Sequence, residues 1–344
     1  MPFTKANLSA WAFYLFLPAV LGSSAHGSSS PTSIFDPVST PARSIFGLSL
    51  LVLAVTAIIF VAVFGLLAYA VVKFRQRTVD NDREPPQVYG STQIEMAWTI
   101  IPILIVLVLF LASARVIADI QDAKPPHDAV EITVVGHQYW WEIRYPGLNV
   151  VTANEIHVSV SDSAHPTPTF VTLLSADTDH SFWVPRLAGK TDLIPNHPNR
   201  MWIDPHKTGI YLGQCAQYCG IQHAKMLLRV YVQTRAEFDR WVEEQSRSAA
   251  MTNAVSRGRA VFETNACLDC HTVKGIAGNG QFGPDLTHLM SRDTIASGVA
   301  LNTPKNLRKW VKDPSSIKPG ATMPALQLSD GQLNDVTAYL ETLR

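Results

Sequence analysis

Charge is scarce in this chain. Asp, Glu, Lys and Arg make up 16% of its 344 residues, and 28 basic residues balance 28 acidic ones. A zero balance gives no support for nucleic acid as a partner, which needs a basic excess. Cysteine is scarcer: four residues, as the close pairs Cys215/Cys219 and Cys267/Cys270. Two close pairs suggest ligands or attachment points, not a disulfide framework. No internal repeat is present. What the chain has in quantity is apolar residues, 47%, concentrated in its first third. That concentration excludes an ordinary soluble enzyme. The length suits two domains or three segments.

Residues 1–25 have the layout of a secretory signal. Lys5 comes first, then a short apolar stretch from Trp11 to Leu21, then the small residues Ser23, Ser24 and Ala25. A third membrane helix is the alternative; the shortness of the run and Pro18 stand against it. Ser44 to Val72 carries no charged residue and exceeds the ~20 apolar residues needed to span a bilayer. Met96 to Ala114 is a second uncharged run, and Pro102 inside it is tolerable in a membrane helix. Spans are expected at about 45–72 and 96–116, within a hairpin covering 40–120. Lys73, Arg75, Arg77 and Arg83 lie between them, so that loop is expected on the cytoplasmic side and residues after about 118 outside.

Residues 127–235 read as β structure. Val130–Val135, Glu155–Val160, Phe170–Leu174, Ile210–Leu212 and Leu227–Val232 are short strand-like runs separated by Pro and Gly. This pattern indicates a β-sandwich or barrel. Thr234 to Ser248 reads as a charged amphipathic helix with Phe238, Trp241 and Val242 on its apolar side, and residues 236–250 link the β domain to the C-terminal module. Residues 251–344 read as an all-α module. Its last helix starts at an S-x-x-Q capping box, Ser329 and Gln332, and carries the stripe Leu333, Val336, Leu340 and Leu343.

Between two expected strands lies a C-x-x-x-C-x-x-x-H-x-x-M loop: Cys215, Cys219, His223 and Met226. Soft sulfur donors with imidazole suit copper better than hard cations. His180 lies upstream in a strand region, and a sandwich can bring the two segments together. A single blue copper uses one Cys; two Cys can bridge two coppers, leaving one His for each. Tetrahedral zinc held by Cys and His is the rival, although it has no use for Met226. A plain disulfide is a third reading.

This loop resembles subunit II of the haem–copper cytochrome c oxidases. So do the run His180 to Pro185, the run Gly136 to Trp141, and Glu95 to Pro102 at the start of the second span. The resemblance implies a cupredoxin fold, a Greek-key sandwich, holding the dinuclear CuA centre. It implies that Cys215 and Cys219 bridge both coppers. His180 and Met226 complete one copper; His223 and the backbone carbonyl of Gln217 complete the other. It places Tyr139, Trp140 and Trp141 in electron transfer and Glu95 at the mouth of a proton channel of subunit I. Two departures stand out. The family commonly has Glu at position 217, a ligand of a magnesium shared with subunit I; Gln217 removes that charge. The family often has Trp where Tyr139 stands, the point at which soluble cytochrome c delivers electrons, so the donor interface is expected to differ.

Cys267, Cys270 and His271 form C-x-x-C-H, the c-type haem attachment signature, in which both thiols bind the haem and His271 ligates the iron. The second axial ligand must lie downstream, among His288, Met290 and Met323. Met323 sits in a Pro/Gly loop able to cross the far face of the haem, and Met/His ligation favours a high potential. Residues 252–344 resemble class I cytochromes c. Gly258 and Phe262 match the N-terminal helix, and Val336 and Tyr339 its partner positions. Pro284 matches the loop whose carbonyl accepts the His271 ring N–H, and Trp310 a position near the haem propionates.

A cytochrome c fused to subunit II is the pattern of caa-type oxidases. The resemblance implies electrons passing from an external donor (a cytochrome bc1 complex or a soluble cytochrome c) to haem c, CuA and then haem a of subunit I. Oxygen reduction and proton pumping belong to subunit I; subunits I and III are the expected partners. The expected location is the bacterial plasma membrane, multi-pass, with both redox domains outside. Two other readings stay open: the CuA subunit of a nitric oxide reductase, and a membrane-anchored electron shuttle.

Overall fold

The computed structural model describes residues 30–75, 87, 89–126, 129–162, 166–249, 255–276, 278 and 280–344. The expected secretory signal lies outside these residues, as do Arg77 and Arg83 of the inter-span loop. Two long helices come first, α1 (Thr40–Lys73) and α2 (Thr92–Gln121). Both are apolar on all sides and most of their side chains are exposed. A helix of that kind is stable in lipid, not in water. Both outrun the expected spans. Pro41, at the first turn of α1, fits because the ring removes only an N–H that has no helical partner there. The polar last turns of α2 continue the helix to Gln121, where the sandwich meets it.

The sandwich has two five-stranded sheets. In one the order is β3 (Val150–Ala153), β2 (Trp140–Tyr145), β1 (Val130–His137), β5 (Thr169–Ser175) and β8 (Asn199–Ile203). In the other it is β4 (Glu155–Ser159), β10 (Leu227–Gln233), β9 (Gly209–Cys215), β6 (His180–Trp183) and β7 (Thr191–Leu193). β1 with β5 and β4 with β10 are parallel; the remaining pairs are antiparallel. Alternating side chains, among them Ile132, Val134, Ile143, Ile156, Leu173 and Val230, bury the space between the sheets.

β8 also receives both membrane helices. Trp202 donates its indole N–H to the Ile120 carbonyl at the end of α2 (2.9 Å). The Thr40 hydroxyl at the start of α1 donates to Asp204 (2.5 Å), just past β8.

After β10, α3 (Arg235–Ser246) starts at a capping box, Thr234 with Glu237. Its Trp241 stacks on His157 at 4.2 Å, and Tyr231 stacks at 4.6 Å.

The C-terminal module consists of α4 (Ser256–Thr264), α5 (Cys267–Cys270), α6 (Pro304–Lys312) and α7 (Asp330–Leu340). It is not wholly helical: β11 (Thr294–Ile295) and β12 (Ala300–Leu301) pair in it. α7 starts at the Ser329–Gln332 capping box, and Leu333, Val336, Leu340 and Leu343 are buried. α4 crosses α7 at Gly258. A Cβ there would collide with the Asp335 carbonyl oxygen and lie 2.7 Å from Tyr339 Cβ.

Candidate copper and haem sites

The end of β9, the loop after it and the start of β6 bring the sulfur and imidazole donors together. Cys215 closes β9 opposite Phe182 of β6, so His180 at the start of β6 lies alongside. Cys215 Sγ is 3.9 Å from Cys219 Sγ and 3.9 Å from His180 Nδ1. Cys219 Sγ is 3.8 Å from His223 Nδ1 and 3.9 Å from Met226 Sδ. The Gln217 carbonyl oxygen is 3.1 Å from Cys215 Sγ. His180, Cys215, Cys219 and Met226 are buried. Four further donors surround the two sulfurs, and both cysteines are free thiols able to ligate metal.

The hydrogen bond between the sulfurs lowers the Cys215 thiol and raises Cys219. A metal that binds here displaces the thiol protons. The second ring nitrogen of His180 is held by Asp177: Nε2 lies 2.8 Å from Oδ1. This leaves Nδ1 turned to Cys215, the usual way an outer carboxylate fixes a ligating imidazole.

Gln138 ties the site to its surroundings. Its backbone N–H donates to Asp177 (2.6 Å) and its side-chain amide to the Cys219 carbonyl (2.6 Å). Tyr139 follows it in the turn between β1 and β2. Trp140 is buried and stacks on His137 at 4.4 Å. Trp141 is fully buried, edge-on to His180 at 6.1 Å. Glu95 lies apart from all this, exposed in the first turn of α2.

The second site is a cavity of about 620 Å³ in the C-terminal module. Cys267, Cys270, His271 and Met323 all line it, with Leu286, Leu328 and Trp310 among its apolar walls. His271 Nδ1 is 2.7 Å from the Pro284 carbonyl, so Nε2 remains for a metal. Burial holds the ring below the usual imidazole range, which keeps it in the neutral, ligating form. A side chain at Gly283 would sit 2.8 Å from His271 Nδ1, so this loop can close on the ring only as glycine. His288 does not line the cavity; its ring is bonded to the Arg247 carbonyl at 3.0 Å. Met290 packs into the module core instead. An apolar cavity lined by two thiols, an imidazole and a thioether has donors that suit a haem.

The two sites adjoin. Gln138, Tyr139 and Trp140 form part of the cavity wall. Thr322, beside Met323, donates its hydroxyl to the Gln138 carbonyl at 3.3 Å. Lys318 donates to the Tyr139 carbonyl at 2.6 Å, and burial pushes its ammonium down to about 7. Asp177, Gln138 and Lys318 carry roles that no motif in the sequence marks. The i, i+3 spacing of Asp177 and His180 was the only signal for the first.

Three known families match the chain. Residues 29–116 match the transmembrane domain of cytochrome c oxidase subunit II, 157–233 its periplasmic domain, and 255–344 cytochrome c. Cytochrome c oxidase subunit 2 of Alkalihalophilus pseudofirmus is 32% identical over 337 residues, 96% of this chain and 94% of that one. The chain belongs to the cytochrome c oxidase subunit 2 family. The Bacillus subtilis subunit 2 is 30% identical over 296 residues, 80% of this chain and 82% of its own. Among solved structures, the periplasmic domain of subunit II from Bradyrhizobium japonicum is 29% identical. It covers 36% of this chain and 96% of its own, with a TM-score of 0.33.

As a subunit II, the protein is part of a haem–copper oxidase and associates with other subunits of it. Its two apolar helices anchor a cupredoxin-like domain and a cytochrome c domain, through which electrons come into the oxidase. The family implies copper in the first domain and haem in the second, and the two donor sets fit those groups.

Proposed function

We propose that electrons arrive at one haem c, attached through Cys267 and Cys270 with His271 and Met323 as axial ligands, and leave through a dinuclear copper centre. Cys215 and Cys219 bridge both coppers. His180 and Met226 complete one, His223 and the Gln217 carbonyl the other. When bound, these groups supply one-electron redox chemistry, the copper pair sharing a single electron over both metals. The chain's own residues do the positioning. Asp177 orients His180, Gln138 braces the Cys219 carbonyl, and Pro284 fixes the His271 ring. The observation that supports this reading is the shared wall: Gln138, Tyr139 and Trp140 line the cavity, and Gln138 also donates to the Cys219 carbonyl of the copper loop. Trp141 lies on the far side against His180.

Beyond this subunit, the route continues to haem a of subunit I, where oxygen is reduced to water and protons are pumped. Subunit III completes the assembly. The external donor is a cytochrome bc1 complex or a soluble cytochrome c. Glu95 lies at the mouth of a proton channel of subunit I, and Gln217 weakens the magnesium site at the subunit I boundary. The membrane is the bacterial plasma membrane. The hairpin occupies 40–120, the copper domain 127–235, the linker 236–250 and the cytochrome domain 251–344, both domains on the outer face.

Metal analysis with EPR of the purified assembly tests the reading. It requires two coppers and one haem per subunit, an EPR signal from one electron on two coppers, and oxygen uptake that Cys219→Ser abolishes beyond the haem. One copper with a blue-copper spectrum, or nitric oxide reduction without oxygen uptake, overturns it.

A further inference from the structure

Away from the copper loop, the cytochrome domain meets the sandwich at a second polar contact. Glu155 opens β4 and is only 2% exposed. Its carboxylate accepts hydrogen bonds from the backbone amides of Asp293 (3.2 Å) and Thr294 (3.0 Å) and from the Thr294 hydroxyl (3.0 Å). All three donors belong to the cytochrome domain. Arg292, also buried, donates to the Thr152 hydroxyl at 3.3 Å across the same boundary. Burial raises the Glu155 carboxyl, and the Arg292 charge opposes that shift. A buried carboxylate stripped of such partners is strongly destabilising, so this face of the sandwich is built to be covered.

The boundary continues to the copper loop. Leu227, the neighbour of Met226, donates its N–H to the Ser297 carbonyl (3.1 Å) and accepts from the Ser297 hydroxyl (3.0 Å). At the far end stands Lys318, 3% exposed, with its bond to the Tyr139 carbonyl. Two polar anchors separated by a backbone pairing fix rotation as well as distance, which one contact could not do.

We infer that Glu155 and Lys318 are positioning residues that hold the cytochrome domain in one pose over Gln138 and Tyr139, so that electron passage to the copper loop does not await a swing of the domain. The pose stands on the contacts themselves; its electronic consequence rests on the route proposed above.

Hydrogen exchange on the full-length subunit in its assembled oxidase tests the pose without turnover. The Thr294 and Leu227 amides are slow in the wild type. In the double variant Glu155→Leu with Lys318→Met they exchange at least about tenfold faster, since several hydrogen bonds across the boundary are lost together. Slow exchange retained in β1 and α7 reports that both domains stay folded. Glu155→Gln, which keeps an acceptor oxygen, shows a smaller effect. Flash-induced transfer from haem to copper is independent of solvent viscosity in the wild type and slows with viscosity in the double variant. Unchanged exchange at Thr294 in the double variant, or viscosity dependence in the wild type, overturns the inference. If Thr294 responds while no haem-to-copper phase exists, the pose stands and the electron route falls.

Discussion

Substituting Gly258 by Ala places one methyl group where α4 crosses α7. Its nearest neighbour is a backbone carbonyl oxygen, that of Asp335, and Tyr339 Cβ is 2.7 Å away. Neither can rotate aside, so the helices must separate. Overpacking of this kind costs roughly 1–3 kcal/mol, and a contact to backbone belongs at the upper end. Alanine recovers up to about 1 kcal/mol of helix propensity. The net loss is about 2 kcal/mol. For a module of this size that lowers its Tm by roughly 10 °C. The separation also disturbs the Phe262–Tyr339 ring contact at 5.6 Å, on the wall beside the haem cavity. Thermal unfolding of the haem-loaded subunit, followed by far-UV circular dichroism and haem absorbance together, reads the change. A Gly258→Ala protein with an unchanged or higher Tm would falsify the close-crossing argument.

Other perturbations reach each site separately. Met323→His should lower the haem potential while the haem stays covalently bound, because Met/His ligation raises it; a potentiometric titration showing no change removes Met323 from the iron. Asp177→Asn weakens the hold on His180 and should cost about 10- to 100-fold in copper affinity, measured by competition with a chelator; equal affinity would refute the orienting role. His157 is pushed down to about 4 by burial. It therefore contributes full stability above its unfolded value near 6.5 and loses it as pH falls toward 4. Between pH 7 and pH 5 the wild type should lose about 2 kcal/mol that His157→Phe does not, as read from urea midpoints. Gln217→Glu should tighten manganese binding at the subunit I boundary with little change in the copper EPR spectrum, since a carboxylate suits hard cations better than an amide. Equal manganese binding by both forms would refute that view.

The copper loop, the C-x-x-C-H motif and the Ser329 capping box were legible because each is a short run whose spacing carries its chemistry. Met323 could be ranked above His288 and Met290 only by chain geometry; its place on the cavity wall, and theirs off it, is set by tertiary packing. Helix ends were less legible. α2 runs to Gln121 because the Trp202 indole receives its last turns, a contact made by a residue far along the chain. The contact face between the domains was invisible. Glu155 reads as an ordinary polar position in an alternating strand, and Lys318 as one more surface lysine in a Pro/Gly loop. Only tertiary packing turns them into buried groups. The β11–β12 pair escaped for a related reason: two residues per strand are too few to show a period of two.

The grip of β8 on both membrane helices changes what the chain between α2 and β1 has to do. If Trp202 and Asp204 hold the ends of α2 and α1 directly, the height of the copper loop above the bilayer is set by a mount and not by a tether. Lengthening the connector by a few residues then adds slack without adding reach, at a closure cost that grows only slowly with length. The subunit behaves as a bracket, whose working distance belongs to the sandwich and not to the string that joins it to the membrane.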